Sequence, residues 1–223
     1  QICGGFMVRK IWKFRNEGIT AQAVSSAAEK NGIPQLLASI LLNRGLAPSE
    51  FKTFLSKSKQ GILNPMTMLD MDKAVERIKS ALEEKEKIVI YGDYDVDGIT
   101  SITVLKKFLL ERGLDAGYKI PNRLNEGYGL NKTAIEKIAK EGYTLIITVD
   151  CGISGNDEID LANSLGMEVI VTDHHEPLEE LPEALAVIDC KRKDSQYPFN
   201  SLAGVGVAFK LIQALGIELK LEE

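Results

Sequence analysis

The sequence predicts an α/β fold, a doubly wound, mainly parallel five-stranded sheet preceded by a small helical segment. Three observations predict it. Apolar runs such as "KIVIY", "TLIITVD" and "MEVIVTD" are continuous rather than alternating, as strands buried on both faces must be. Segments of helical periodicity separate these runs, which means βαβ units with right-handed crossovers. Acidic residues follow the runs directly, and an open parallel sheet binds its ligands beyond the carboxyl ends of its strands.

The elements follow in order. "TAQAVSSAAEKNGI" is Ala-rich and stops at Asn31-Gly32, a helix ending. "PQLLASILLNRG" opens on Pro34 and closes on Gly45, the N-terminal Pro and C-terminal Gly asymmetry of a helix. "SEFKTFLSK" begins with a Ser N-cap, and "QGILNPMTMLDM" reads as a loop. These make residues 1–70 an extension of short helices and loop. From residue 71 the α/β pattern begins and continues to 223. "DKAVERIKSALEEKEK" spaces Ala74, Val75, Ile78, Ala81 and Leu82 as one helical face. Strand "KIVIY" leads into helix "GITSITVLKKFLLERG", strand "AGYKIP" into "NKTAIEKIAKEG", and strand "TLIITVD" into "NDEIDLANSLG". "MEVIVTD" and the weaker "LAVID" complete the sheet, and "AGVGVAFKLIQALG" is the last helix.

Composition bounds the function. Of 223 residues, 44% are apolar and 26% charged, so a globular protein with a sizeable core is expected. No apolar run is long enough to span a membrane, and no secretory signal is visible. Cys3, Cys151 and Cys190 are sparse and lack CxxC spacing. That argues against a disulfide framework or structural zinc, and for a reducing cytoplasm. The net charge of −5 argues against a protein that simply coats nucleic acid. The charge is uneven: residues 1–60 carry nine Lys/Arg and three Glu, a net +6, and the remainder a net −11. A basic flank could hold a polyanion through its phosphates, or be a solvated helical face.

Three polar clusters fall at strand ends that a parallel sheet brings to one edge: "YGDYDVDG", Asp150, and Asp173-His174-His175. Singly, each has an ordinary reading. An Asp after a strand caps a helix or forms a turn, and a lone His is usually a satisfied polar residue. Yet the chain's two histidines are adjacent and sit at one of these ends, and three coincidences at one edge are far less probable than one. Asp95 and Asp97 are two apart, so an extended segment points both the same way. Carboxylates so placed raise one another's pKa, and a divalent ion removes that penalty. A carboxylate and imidazole set suits Mn²⁺ and tolerates Mg²⁺ or Zn²⁺. Two ions about 4 Å apart would clamp the attacking and leaving oxygens of a phosphoryl displacement. Gly98 and Thr100 open a helix whose N–H groups face phosphate oxygens. Neither a Walker A sequence nor GxGxxG follows the strand.

"GDYDVDG", the strand-ending "VDCGIS" and "VTDHHE" resemble the DHH phosphoesterases. With "PNRLNEGYGL" and "YPFNSLAGVGVAFKL", the chain resembles the single-strand-specific 5′→3′ exonuclease branch of that family. The resemblance implies metal-dependent removal of 5′-mononucleotides from single-stranded DNA with a 5′ end, in repair and recombination. A single-strand-binding protein and a helicase would be its associates. It implies Asp95, Asp97 and His174 as ligands of Mn²⁺ or Mg²⁺, two ions in all, with Asp150 bridging them. His175 would contact the scissile phosphate or act as an acid, and Asp93 and Asp173 would orient their neighbours. Arg123, Asn125 and Tyr128 would line the cleft, where Arg123 suits a phosphate and Tyr128 a stacked base. Two departures stand out. Some family members carry His where this chain has Tyr91, a poor ligand for a hard ion, which would weaken one metal site. The family pattern also continues beyond residue 216 with a further ligand Asp and more domains, so the α/β part is expected to be truncated at its C-terminal end. A phosphoesterase of the same fold acting on oligonucleotides or cyclic dinucleotides, and an inactive binding module, are the alternatives.

Overall fold

The computed structural model describes residues 18–123 and 127–221, so Asn125 and the "IWKFRN" stretch lie outside the described residues. The chain divides into two compact units, with the break between Leu63 and Asn64.

In the first unit, α1 (Ala21–Asn31) is capped by the Thr20 side chain and ends on Gly32 in the left-handed conformation. It pairs with α2 (Gln35–Asn43), and Ala27, Ala28, Ala38, Leu41 and Phe51 form a small core. The expected Ser cap of the third helix is not there. Helix α3 (Phe51–Leu55) starts after Glu50 and has no side-chain cap. The Glu50 carboxylate instead accepts from the Ala47 N–H. The expected loop that follows contains two short 3-10 turns, Lys59–Gly61 and Pro65–Thr67.

The second unit is a parallel sheet of β1 (Ile88–Gly92), β2 (Gly117–Lys119), β3 (Leu145–Val149), β4 (Glu168–Asp173) and β5 (Ala186–Asp189). The strand order is β2-β1-β3-β4-β5 and every pairing is parallel. Successive side chains take opposite faces. Ile88, Ile90, Leu145, Ile147, Ile170 and Ile188 pack with α4 (Met71–Glu84), α5 (Val96–Leu110) and α8 (Gly204–Glu218). Val89, Tyr91, Ile146, Val169, Val171 and Val187 pack with α6 (Lys132–Lys140) and α7 (Asn156–Ser164). Both faces being covered explains why the strands read as unbroken apolar runs. The chain turns from one side of the sheet to the other between β1 and β3. Such a switch point opens a crevice beyond the carboxyl ends of those two strands.

Among the described residues no helix is long and apolar enough to cross a membrane. Cys151 and Cys190 are free and buried.

Candidate metal centre at the carboxyl edge of the sheet

The segment after β1 folds differently from the expected extended run. Helix α5 begins at Val96, so Asp95 is its N-cap and Asp97 lies in its first turn. The Asp95 side chain accepts from the Gly98 N–H at 3.0 Å, and capping outweighs extension because it satisfies a helix donor. Gly98 is required there, since a Cβ would collide with the Asp93 backbone, 2.7 Å from its carbonyl carbon. The two carboxylates are therefore brought to the cleft by a helix start and not by strand alternation.

After β3, Asp150 adopts φ +59°, a left-handed conformation that Asp and Asn tolerate better than other non-glycine residues. The residue is 2% exposed. Asp93, Asp95 and Asp150 each offer an oxygen within 4.8 Å of the others, and Asp150, His174 and His175 form a second such group. The two groups share Asp150. His174 Nε2 lies 3.1 Å from Asp150 Oδ1 and 3.7 Å from Asp97 Oδ2. Asp93 thus stands among the converging oxygens, although its expected place was behind them. Asp97 stands one step back. Its carboxylate accepts from the N–H groups of Gly204 and Val205, both at 2.7 Å.

Burial and polar partners decide the state of each acid. Asp173 is 1% exposed and accepts from Ile153 N at 3.0 Å, His174 N at 2.7 Å, His175 N at 3.2 Å and His175 Nδ1 at 2.7 Å. Burial pushes its carboxyl up, but the His175 bond and the backbone donors outweigh burial and hold it below its ordinary value. The same partnership raises the His175 imidazole above its ordinary value. Asp150 has no such help. Burial, then the neighbouring charges of Asp97 and Asp95, push it up to about 7. Burial also raises Asp93.

Asp93 Oδ1 and Asp150 Oδ1 are buried without a hydrogen-bond partner among the described residues. At Asp150 this holds although His174 Nε2 is near, because proximity there is not accompanied by hydrogen-bond alignment. Lone pairs that converge without donors are what a divalent cation would satisfy. The oxygen and imidazole set is one that Mn²⁺ or Mg²⁺ accepts, so the residues present fit such ions.

Tyr128 reaches the same edge, its Oη 3.1 Å from His175 Nδ1 and 3.3 Å from the Asp150 carbonyl oxygen. Its ring meets the His175 ring edge-on. The Arg123 guanidinium lies 5.4 Å from the Tyr94 ring, and Tyr94 falls between Asp93 and Asp95 in the chain. Tyr91, expected as a deficient ligand, faces the α6–α7 side of the sheet and is fully buried.

Two residues of the site escaped the sequence reading. A Cβ on Gly204 would collide with the Asp150 carboxylate, 2.7 Å from its Cβ, so the start of α8 forms a wall of the centre. Asp189 ends β5 opposite Asp173. It is buried with Oδ2 unpartnered among the described residues, and burial pushes it up to about 7. The position of both glycine and aspartate beside Pro-Phe and Cys-Lys segments was visible, but only the fold brings them to residues far away in sequence.

Residues 87–223 match the model of the DHH family, N-terminal domain. The chain is similar to the single-stranded-DNA-specific exonuclease RecJ of Bacillus subtilis strain 168, 45% identical over 88% of this chain and 25% of that protein. It is similar to RecJ of Escherichia coli K12, 39% identical over 82% of this chain and 31% of that protein. It therefore spans roughly a quarter to a third of the length of these curated relatives. Among solved structures, RecJ in complex with Mn²⁺ from Thermus thermophilus superposes with a TM-score of 0.68 at 28% identity, covering 89% of this chain and 28% of that one. An exonuclease RecJ bound to manganese superposes with a TM-score of 0.65 at 36% identity, covering 72% of this chain and 40% of that one. With its parallel sheet and its acids and histidines gathered at one sheet edge, the chain belongs to the DHH family.

Proposed function

We propose that this chain is the core of a 5′→3′ exonuclease specific for single-stranded DNA, hydrolysing phosphodiester bonds with two divalent ions, Mn²⁺ or Mg²⁺, in repair and recombination. The catalytic part is the α/β region from residue 71 onward. The observation that carries the reading is the convergence of the Asp93 and Asp95 oxygens and the His174 imidazole on Asp150, with Asp97 beside His174. One acid at which the others converge is what a bridged pair of ions needs. The named activity of the relatives similar to this chain, and the Mn²⁺ in the similar structures, support it.

In this reading Asp95, Asp97 and His174 are ligands, Asp150 bridges, and Asp93 joins the first group. Bound there, the ions supply positive charge to the attacking and leaving oxygens of the phosphoryl displacement. The residues do the rest. Asp97 keeps free lone pairs after accepting the two N–H groups of α8. Asp173, held ionised, accepts the Nδ1 proton of His175. That leaves His175 Nε2 for a phosphate oxygen or the leaving group. Arg123 supplies a forked cation to a neighbouring phosphate, and Asn125 is a further substrate-binding residue of this reading. Single-strand-binding protein and a helicase are the partners this role implies, in the cytoplasm.

The test incubates 5′-phosphorylated single-stranded DNA with the chain and Mn²⁺, with Asp150→Asn as the control. Asparagine keeps the left-handed conformation and the shape but not the charge. Mononucleotide release by the parent alone supports the reading. Robust hydrolysis of a cyclic dinucleotide with DNA left intact overturns it.

A further inference from the structure

Tyr91 lies near the end of β1, just before the acidic segment, and its hydroxyl is engaged away from the acids. Its Oη donates to the Gly129 carbonyl oxygen at 3.1 Å and accepts from Asn131 Nδ2 at 3.1 Å. The Asn131 Oδ1 accepts from the Ala134 N–H at 2.8 Å and so caps α6. The backbone carbonyl of Tyr91 receives the Cys151 thiol proton. One side chain, rooted in β1 and fully buried, thus grips the turn between Gly127 and Asn131. Leu130 packs against the core on that face of the sheet, and the Tyr91 hydroxyl adds polar anchors at Gly129 and Asn131. Gly127 and Gly129 flank Tyr128 with φ of +78° and +77°, and glycines give the backbone more freedom than any other residue. Tyr128 is half-exposed, and its hydroxyl meets His175 Nδ1 and the Asp150 carbonyl.

From this arrangement we propose that Tyr91 is a positioning residue, which holds the Gly127–Asn131 turn so that Tyr128 sets the orientation of the His175 ring. The inference rests on the functional reading above for its catalytic consequence, but its structural part stands apart from it. A buried Tyr hydroxyl with both a donor and an acceptor partner fixes the loop to the sheet. Tyr128 then carries that register to the Nδ1 edge of the ring, the same edge that Asp173 holds. A Phe at position 91 keeps the packing of the ring and leaves the Gly129 carbonyl and the Asn131 amide without their partner.

The chain contains two histidines, so the imidazole region of its NMR spectrum reports on the site directly. Three variants are measured without metal: Tyr91→Phe, Tyr128→Phe and Asn131→Ser. The last keeps an oxygen to cap α6 while removing the amide that Tyr91 accepts, and it serves if Tyr91→Phe fails to fold. The expected result is that all three shift the His175 ring resonances, and by more than those of His174, whose ring lies 4.4 Å away. Mn²⁺ affinity measured by calorimetry stays at the parent value in all three. In DNA hydrolysis at saturating Mn²⁺, Tyr91→Phe lowers kcat about tenfold, the scale of outer-shell changes around a metal site, with KM unchanged. The Tyr91→Phe, Tyr128→Phe double variant is no slower than the worse single one, because both act on one path. An unmoved His175 signal in folded Tyr91→Phe or Asn131→Ser overturns the proposal. So does a loss of Mn²⁺ affinity, which would make Tyr91 part of the metal site. A parent that binds Mn²⁺ but releases no nucleotide counts against the exonuclease reading alone, since the NMR arm is decided without it.

Discussion

The tips of β3 and β4 are neighbours, and each ends in a buried aspartate, but the protein treats the two carboxylates in opposite ways. Asp173 receives three backbone N–H groups and an imidazole and is held ionised. Asp150 has an oxygen with no donor among the described residues and is pushed up to about 7. The difference teaches where the fold ends and the chemistry begins. Asp173 is completed by the polypeptide and orders both histidines. Asp150 is left incomplete, and a cation is the natural partner for what it lacks. Stability and function are separated between residues on adjacent strands.

The strongest break in the comparison exchanges the charge of each acid. Asp150→Asn should weaken Mn²⁺ binding by more than about a hundredfold, beyond the range seen for outer-shell changes, without lowering the melting temperature of the metal-free chain at pH 8. Asp173→Ala should do the reverse first. Unpaired buried donors are left behind, at roughly 3 kcal/mol of unfolding free energy, measured by urea denaturation. If Asp150→Asn destabilised the metal-free chain as much as Asp173→Ala, the two acids would not differ as described. Next in size is Gly204→Ala. Its Cβ would run into the Asp150 carboxylate, so Mn²⁺ affinity should fall about tenfold or more while Gly216→Ala, with open space around it, should leave it unchanged.

The pH profile sharpens the contrast further. Asp150 and Asp189 are both pushed up to about 7, against about 3.9 in the unfolded chain. Between these values the folded state holds protons that the unfolded state has released. The metal-free chain should therefore lose stability as pH rises from about 4 to about 7, by several kcal/mol. An ion requires the ionised acid, so Mn²⁺ affinity should climb over the same window. Thermal melts with and without Mn²⁺ at several pH values would reveal slopes of opposite sign. The smallest expected effect is that of Asp189→Asn, which removes the buried charge. A gain in stability is expected at pH 8, a smaller one at pH 5 and none below about pH 4, read from the same melts.

Much of this organisation could be read from the chain itself. Unbroken apolar strands such as Leu145–Val149 announced a two-sided cover, and the acids that follow them fell at one sheet edge. Local chemistry was less legible where it competes with periodicity. Asp95 and Asp97 looked like alternate positions of an extended run, but an Asp two residues before a second Asp and a Gly is also a helix cap, and the cap won. Ser49 looked like a cap and is not one, because the helix starts after Glu50. The unreadable part consists of long-range contacts. Nothing in "LAGVGVAF" says that Gly204 presses on Asp150, and nothing in "YGDYD" says that the Tyr91 hydroxyl holds the turn at Gly129. Both need the sheet order before they can be seen.

Cys151 follows Asp150 directly, yet its sulfur is on the other face of the sheet, fully buried and bonded to the Tyr91 carbonyl. Burial pushes its thiol well above the ordinary range. A soft, sulfur-seeking ion such as cadmium therefore finds no Cys151 thiolate at this edge and meets the same oxygen and imidazole set, where harder ions hold the advantage. The same seclusion shields the residue from alkylating and oxidising reagents, which gives the centre a built-in tolerance of chemical stress that its sequence, with a cysteine next to its central acid, would not lead one to expect.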